Sequence, residues 1–399
     1  MKLFTALFAL LLCVFSVTSS AGQQYYEARS VAMGGSAVAA SNREGAAFIN
    51  PALLAVHAPQ YDSSSGLMML PMIAAEATNL NSFNDKFDDL QDSYDRLDDA
   101  ISANDSAAID RYRASLIDDL QGLDGEMGIV GAGLGMSIVI PTEKMPMAIF
   151  YKTYIDAIGM TDIAQSDIDT LQNLSTSTRT IPDLDSEGIV VAAGVSELGV
   201  ALSFPLSIVN MPIAVGISPK FQRVDTYNYA VNANNFDSGD FDNEKYHDDD
   251  TSLNLDLGVA MQPSENIIVG LSGRNMISNN VDTVNNFNRE FTYHVEPLYT
   301  AGVAYEGNSY TLTTDLDLNS NKRFSNETDT QYWRVGGELR PMGWIALRLG
   351  YRHDLKDASE DVYSFGTGFS IGNTFNFDLS GLVGSEDTLG GVIQTSYHF

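Results

Sequence analysis

The second half of the chain alternates apolar and polar residues with a period of two. In SLNLDLGVAMQ, Leu253, Leu255, Leu257, Val259 and Met261 share one face, and Asn254, Asp256, Gly258, Ala260 and Gln262 share the other. YTLTTDLDL, WIALRLGYRHD and TFNFDLSGLV repeat the pattern. Such alternation predicts strands with one apolar and one polar face. Carried along the chain, it predicts about fourteen strands. They fall near 60–75, 127–140, 145–156, 187–204, 208–224, 251–262, 265–276, 292–305, 308–319, 329–340, 343–354, 361–371, 373–383 and 389–399.

The connections have a rhythm. PTEKMP, PLSIVN, PSE, EGN, PMG and GN are short turns after every second strand, while the intervening connections are mostly longer and more polar. Short turns at one end and long loops at the other describe an all-β transmembrane barrel of antiparallel strands. A strand of about ten residues, tilted about 45°, spans roughly 23 Å, near the height of a lipid-facing apolar band. The chain ends GGVIQTSYHF, an alternating strand closed by Tyr397 and Phe399. That ending resembles the signal read by the outer-membrane barrel-assembly machinery. Aromatics at strand ends, such as Phe204 and Trp344, suit the interfacial girdles of a barrel. A soluble sandwich or propeller would alternate equally well; the export signal, the loop rhythm and Phe399 distinguish the barrel from it.

One stretch has another period. Phe83, Phe87, Leu90, Tyr94, Leu97 and Ile101 recur at helical spacing, followed by Ile109, Tyr112, Leu116 and Leu120. A helical hairpin is predicted over about 80–122, inserted in the first long loop. It would either pack on the barrel rim or offer an apolar groove to a ligand.

Composition places the chain. Lys2 and the apolar run Leu3–Val17 precede Ser19-Ser20-Ala21, the layout of a secretory signal peptide over 1–21. The sole cysteine, Cys13, lies within it, so the mature chain has neither disulfide nor thiol chemistry. Asp and Glu number 52 against 22 Lys and Arg, a net charge of −30, which disfavours nucleic acid as a partner. The acid gathers in 84–105 and 237–250. Past the signal there is no apolar run of about 18 residues, so no transmembrane helix is predicted.

Residues 22–56 have the wrong composition for a wall. In SNREGAAFINPALLA, Asn50 can accept a backbone N–H as an N-cap and Pro51 suits the first helical position before Ala52. Upstream, Gly34 and Gly35 permit a tight turn. A compact, small-residue segment ahead of the first strand reads as a plug inside the lumen, with 57–399 forming the barrel.

ARSVAMGGSAVAASNREGAAFINPALLA (Ala28–Ala55) resembles the N-terminal hatch of FadL-type outer-membrane transporters of long-chain fatty acids and other hydrophobic compounds. That resemblance implies fourteen strands around a plugged lumen. GVSELGVALS, GISPKFQ and GLSGRNM resemble segments of a related barrel family labelled conjugal transfer protein TraF. The ligand-binding helical loop of FadL-type proteins comes later in the chain than the hairpin here. Its groove therefore does not transfer residue by residue.

Charges cost too much on a lipid face. Asp315, Asp317, Arg334, Glu338, Arg340, Arg348 and Arg352 are therefore expected to point inward and pair, with Glu197 and Lys220. They either brace the lumen or line a polar path and touch the plug. Pro219 cannot donate a ladder bond and is expected to mark a bulge or lateral gap in the wall. The acidic loop 237–250 lacks the spacing and glycine of an EF-hand. The five histidines show no metal-ligand spacing. No catalytic constellation and no cofactor motif is apparent, so no enzyme is expected. The sequence thus points to a monomeric barrel of the bacterial outer membrane, contacting lipid and the assembly machinery. Its expected role is passive uptake of small hydrophobic molecules past a plug that gates the lumen. The alternative is a structural component of a conjugal-transfer or secretion apparatus.

Overall fold

The computed structural model describes residues 27–56, 66–142, 144–208, 211–232, 244–372, 374–385 and 387–399. The expected signal segment, residues 22–26 of the expected plug, the start of the first predicted strand and part of the acidic loop lie outside them.

Seven barrel strands come first: β1 (Leu67–Thr78), β2 (Met127–Ile140), β3 (Met147–Asp162), β4 (Glu187–Ile208), β5 (Met211–Asn232), β6 (His247–Ser264) and β7 (Ile267–Arg274). A small hairpin, β8 (Asn279–Asp282) and β9 (Thr292–Val295), interrupts the wall. Seven more complete it: β10 (Leu298–Glu306), β11 (Tyr310–Asp317), β12 (Tyr332–Met342), β13 (Ile345–Asp354), β14 (Val362–Ile371), β15 (Phe375–Gly384) and β16 (Leu389–His398). Each pairs antiparallel with its neighbour, β7 pairs with β10, and β1 pairs with β16 to close the ring. Closure gives every barrel strand two neighbours, the condition for crossing lipid with strands.

Alternation decides what faces where. Leu253, Leu271, Leu312, Leu347, Leu349, Phe365 and Ile393 are exposed on the outside, while Asn254, Asp256, Asp315, Arg334 and Arg348 are buried within. A continuous exposed apolar belt of this kind would aggregate in water and is satisfied by lipid. Trp344 stacks on Phe369 at the short-turn end, as do Tyr305 on Tyr310 and Tyr397 on Phe399. Closed, belted barrels are the architecture of the outer membrane.

The helical hairpin is α4 (Leu80–Ala103) and α5 (Ser106–Leu123), numbered after three short helices in the lumen: α1 (Ala28–Ala32), α2 (Arg43–Ile49) and α3 (Leu53–Val56). Asp105 caps α5, accepting from the Ala107 and Ala108 N–H groups at 3.1 Å each. The second long loop carries a further helix, α6 (Gln165–Gln172). Ile168, Leu171 and Leu184 pack against Leu97, Ile101 and Leu116 of the hairpin. Much of the apolar stripe, from Leu97 to Leu120, is thus covered by protein. The predicted strand 292–305 is two elements, split at Glu296–Pro297 where the hairpin hands over to the wall.

Candidate functional site

Residues 27–56 run through the lumen and are almost entirely buried. Helix α1 is closed by a Schellman turn, in which Gly34 N–H donates to Val31 O (3.1 Å) and Gly35 N–H to Ser30 O (2.8 Å). The turn needs positive φ, supplied by Gly34 (+71°) and Gly35 (+84°). Asn50 follows the last residue of α2, and its Oδ1 accepts from Ala52 N–H at 3.2 Å. Its Nδ2 donates to Val38 O (2.8 Å) and, across to the wall, to Val259 O (3.2 Å). Pro51 lies in the turn two residues ahead of α3 and not at its first helical position. The Ala52 carbonyl accepts from Ser203 Oγ of β4 at 3.1 Å.

The plug is seated on glycines of the wall. A Cβ at Gly258 would lie 2.1 Å from Asn50 Oδ1, and one at Gly216 would lie 2.3 Å from Ala52 N. One at Gly350 would lie 2.0 Å from Gly34 N, and one at Gly336 2.3 Å from the Met33 Cβ. These glycines stand opposite one another in the sheet, Gly216 with Gly258 and Gly336 with Gly350. They are the inward residues of alternating strands at the height where plug backbone meets wall backbone. Sequence reasoning missed them; the available signal was glycine recurring on the polar face of successive strands.

Two sets of buried charges complete the site. On β3 to β6, Glu197 receives Lys152 (3.1 Å) and Lys220 (3.0 Å), and Lys220 also meets Asp256 at 2.8 Å. This set is paired within the wall. On β11 to β13 the charges reach the plug. Asp315 accepts from the Ala37 and Val38 N–H groups at 2.7 and 2.8 Å. Glu338 holds Arg29 of α1 by two bonds (2.9 and 3.1 Å), together with Arg348 (2.7 Å) and Arg340 (3.1 Å). Arg348 continues to Asp378 at 2.5 Å. Arg334 forks onto Asp317 at 2.8 and 2.9 Å, and Arg352 pairs with Glu76 at 2.5 Å. Arg29 was not among the expected residues, because nothing in the sequence shows that α1 crosses to β12.

Inside the plug, Glu27 accepts from Ser41 Oγ and the Asn42 N–H. Burial raises its carboxyl to about 7 against the pull of Arg29, and the neighbouring Glu44 adds to the rise.

Pro219 does not mark a bulge. The β4–β5 pairing passes from Gly199↔Lys220 to Leu202↔Ile217 in unchanged register, and Pro219 pairs with Leu255 of β6. The β1 register shifts instead, between Met69 and Met72 against β2 and between Met69 and Ile73 against β16, around Leu70-Pro71. At the chain end the Phe399 N–H donates to Gly66 O at 3.0 Å, tying the last residue to the first strand. Asp225, His247 and Asp249 come together outside the wall through β5–β6 pairing, which histidine spacing did not reveal. The Arg223 guanidinium already bonds Asp225 there (2.7 Å).

A family model described as "F plasmid transfer operon, TraF, protein" matches residues 47–317. The chain belongs to this family. The match opens in the plug and closes at the end of β11, so it spans the seat glycines Gly216 and Gly258 on β5 and β6 but neither Gly336 and Gly350 nor the Glu338 cluster. No curated protein sequence matches the TraF-family chain. Among solved structures it is similar to the Ralstonia pickettii toluene transporter TbuX, at 10% identity and TM-score 0.57, covering 95% of this chain and 99% of that one. It is also similar to the CymD monoaromatic hydrocarbon channel (13% identity, TM-score 0.51, 95% and 98% covered). A Pseudomonas aeruginosa FadL homologue matches at 10% identity and TM-score 0.51 over 96% and 98% of the two chains. At these identities the likeness is one of fold, a fourteen-strand barrel seen over nearly the whole of each chain.

Proposed function

We propose that this TraF-family barrel is a passive outer-membrane channel for small apolar molecules, gated by its N-terminal plug. The observation that supports this most is how the lumen is closed. A mostly apolar, small-residue segment rests on glycines and bonds, largely through its backbone, to wall side chains such as Asp315, Ser364 and Ser203. Backbone groups bonded this way can exchange their partners for water if the segment moves. The lumen is also packed with apolar side chains in two places. One cluster joins Phe48, Leu53 and Leu54 of the plug to Leu67, Val139 and Phe150 of the wall. A second, nearer the long-loop end, includes Tyr154, Val191 and Val224. Solutes named for proteins of this fold are toluene and monoaromatic hydrocarbons, and solutes of that chemistry would suit the apolar walls that movement of the plug uncovers.

The test is uptake by vesicles that carry the purified barrel and have an outer leaflet of lipopolysaccharide, which slows direct passage of toluene. Labelled toluene is compared against a labelled sugar. Toluene uptake faster than that of protein-free vesicles, with the sugar excluded, is expected. Equal passage of both, or of neither, would refute the proposal.

A second reading has its own support. The paired layer Lys152, Glu197, Lys220 and Asp256 lies between the two apolar clusters along β3 to β6, so the apolar route is interrupted there. A barrel used as a scaffold in a conjugal-transfer assembly would have no need of a continuous route. Absence of uptake by a correctly folded barrel would favour it.

A further inference from the structure

The long-loop mouth holds a second closure, separate from the plug. Hairpin β8–β9 and the loop 318–331 fold into the barrel and join each other. The His294 N–H donates to Arg323 O at 2.6 Å and the Ser325 N–H to Thr292 O at 3.0 Å. Tyr293 and Phe324 meet edge to face at 5.0 Å and are both fully buried. They pack on Tyr154, Ile158, Val191 and Val224 of the wall.

The attachments on the two sides of this unit differ in kind. Toward β5 they are neutral. Asn228 Nδ2 donates to Val284 O and Arg289 O at 3.0 Å each, Asn286 Nδ2 donates to Ala230 O at 3.0 Å, and Thr226 Oγ1 donates to Asp282 O at 3.0 Å. Toward β3 and β4 they are charged. Asp156 receives the Tyr293 hydroxyl at 2.7 Å and the Arg323 guanidinium at 3.1 Å. Arg289 pairs with Asp162 and, at 2.9 Å, with Glu187.

We propose that this unit is a lid that hinges along β5 and is latched to β3 and β4 by Asp156, Asp162 and Glu187. Four neutral bonds to one strand keep the hinge side together while the charged side parts. Lifting the latch withdraws Tyr293 and Phe324 from the wall and opens the upper lumen to water. Charge-assisted bonds are the stronger class. The partly exposed Arg289–Asp162 pair is the part that salt screens, while the buried Asp156 bonds are screened little, so ionic strength loosens the latch at Arg289 and leaves the hinge unchanged.

The lid is tested without any transported solute. A single cysteine replaces the fully buried Val191 in the mature chain, which the sequence leaves free of other cysteines. Its labelling by a water-soluble maleimide is timed in the purified barrel. Asp156→Asn and Arg289→Gln should each speed labelling, by roughly tenfold where a charged bond is lost, and raised salt should speed it in the parent. Tyr293→Phe removes only one hydroxyl, so it should fold as the parent does and give a smaller increase. Labelling within twofold of the parent in folded Asp156→Asn and Arg289→Gln, or in Tyr293→Phe if those two do not fold, would overturn the latch. A failure of toluene uptake would leave this result untouched.

Discussion

Glu338 is the side chain on which plug docking should depend most. It holds Arg29 of the plug through two bonds and Arg348 and Arg340 of the wall through one each, and it is buried. Glu338→Gln keeps the shape and removes the charge. Arg29 then remains buried opposite a neutral amide, while Arg348 keeps Asp378. Breaking a buried pair by neutralising one partner costs about 3–5 kcal/mol; Arg29 keeps the Ala40 carbonyl and the lesser pull of Glu27, which puts the cost toward the lower end. Most of that cost falls on the docked state, since an undocked Arg29 regains water. The docking equilibrium should therefore shift by roughly 150-fold or more. A cysteine replacing Val38, fully buried beneath the wall, reports undocking through its rate of maleimide labelling. Glu338→Gln should raise that rate by at least about a hundredfold while the barrel keeps its heat-modifiable migration on a gel. Arg29→Met should raise it less, because Glu338 keeps two arginines. A change below threefold in Glu338→Gln would refute the claim that this pair holds the plug.

Gly258→Ala places a methyl group where Asn50 and Pro51 already stand, and overpacking of this kind costs about 1–3 kcal/mol; the Val38 cysteine should label faster, and an unchanged rate would count against the glycine seat. Asn50→Ala leaves the carbonyls of Val38 and Val259 without its amide, at about 1–3 kcal/mol for the lost bonds, and should loosen the plug by the same assay. Glu27, with a carboxyl raised to about 7 in the docked plug, binds a proton that the free segment releases near its ordinary value. The stabilisation is complete below about 4.5 and lost as pH rises through about 7, roughly 3 kcal/mol across that window. Labelling, taken at each pH relative to a free thiol because the thiolate is the reacting form, should be faster at pH 8 than at pH 5, and Glu27→Gln should flatten that difference. Leu349→Arg puts a charge on the lipid face at an exposed position and should cost about 2–4 kcal/mol if the residue lies at mid-bilayer, read as a lower folded fraction on refolding into lipid.

Much of the barrel was legible because lipid and lumen impose opposite polarity on successive residues. Leu253 to Met261 and Ile345 to Tyr351 record that demand directly in the sequence. Loop rhythm supplied the topology, and the 4-and-3 spacing from Phe83 supplied the hairpin. Helix α6 escaped because Ile168 and Leu171 make barely one turn of pattern. Hairpin β8–β9 escaped because its strands are four residues each and the second runs on toward β10. Of the site, the inward position of Asp315, Asp317, Arg334, Glu338, Arg348 and Arg352 followed from the cost of charge in lipid. Their partners did not. Arg29 reaches Glu338, and Glu76 reaches Arg352, across the lumen and between elements far apart in sequence. Pairings of that kind are set by barrel closure and carry no local pattern.

Passage of small apolar molecules past the plug should be blocked by a reversible crosslink. Cysteines replacing Ser36 of the plug and Thr313 of β11 stand where the two hydroxyls meet at 3.0 Å, within reach of a disulfide. Toluene uptake, above that of protein-free vesicles, into vesicles with a lipopolysaccharide outer leaflet carrying the double variant would be followed under oxidising and then reducing conditions. Uptake that stops on oxidation and returns on reduction is the expected result. Uptake unaffected by the crosslink would contradict gating by the plug, and none in either state, from a folded barrel, would contradict transport itself.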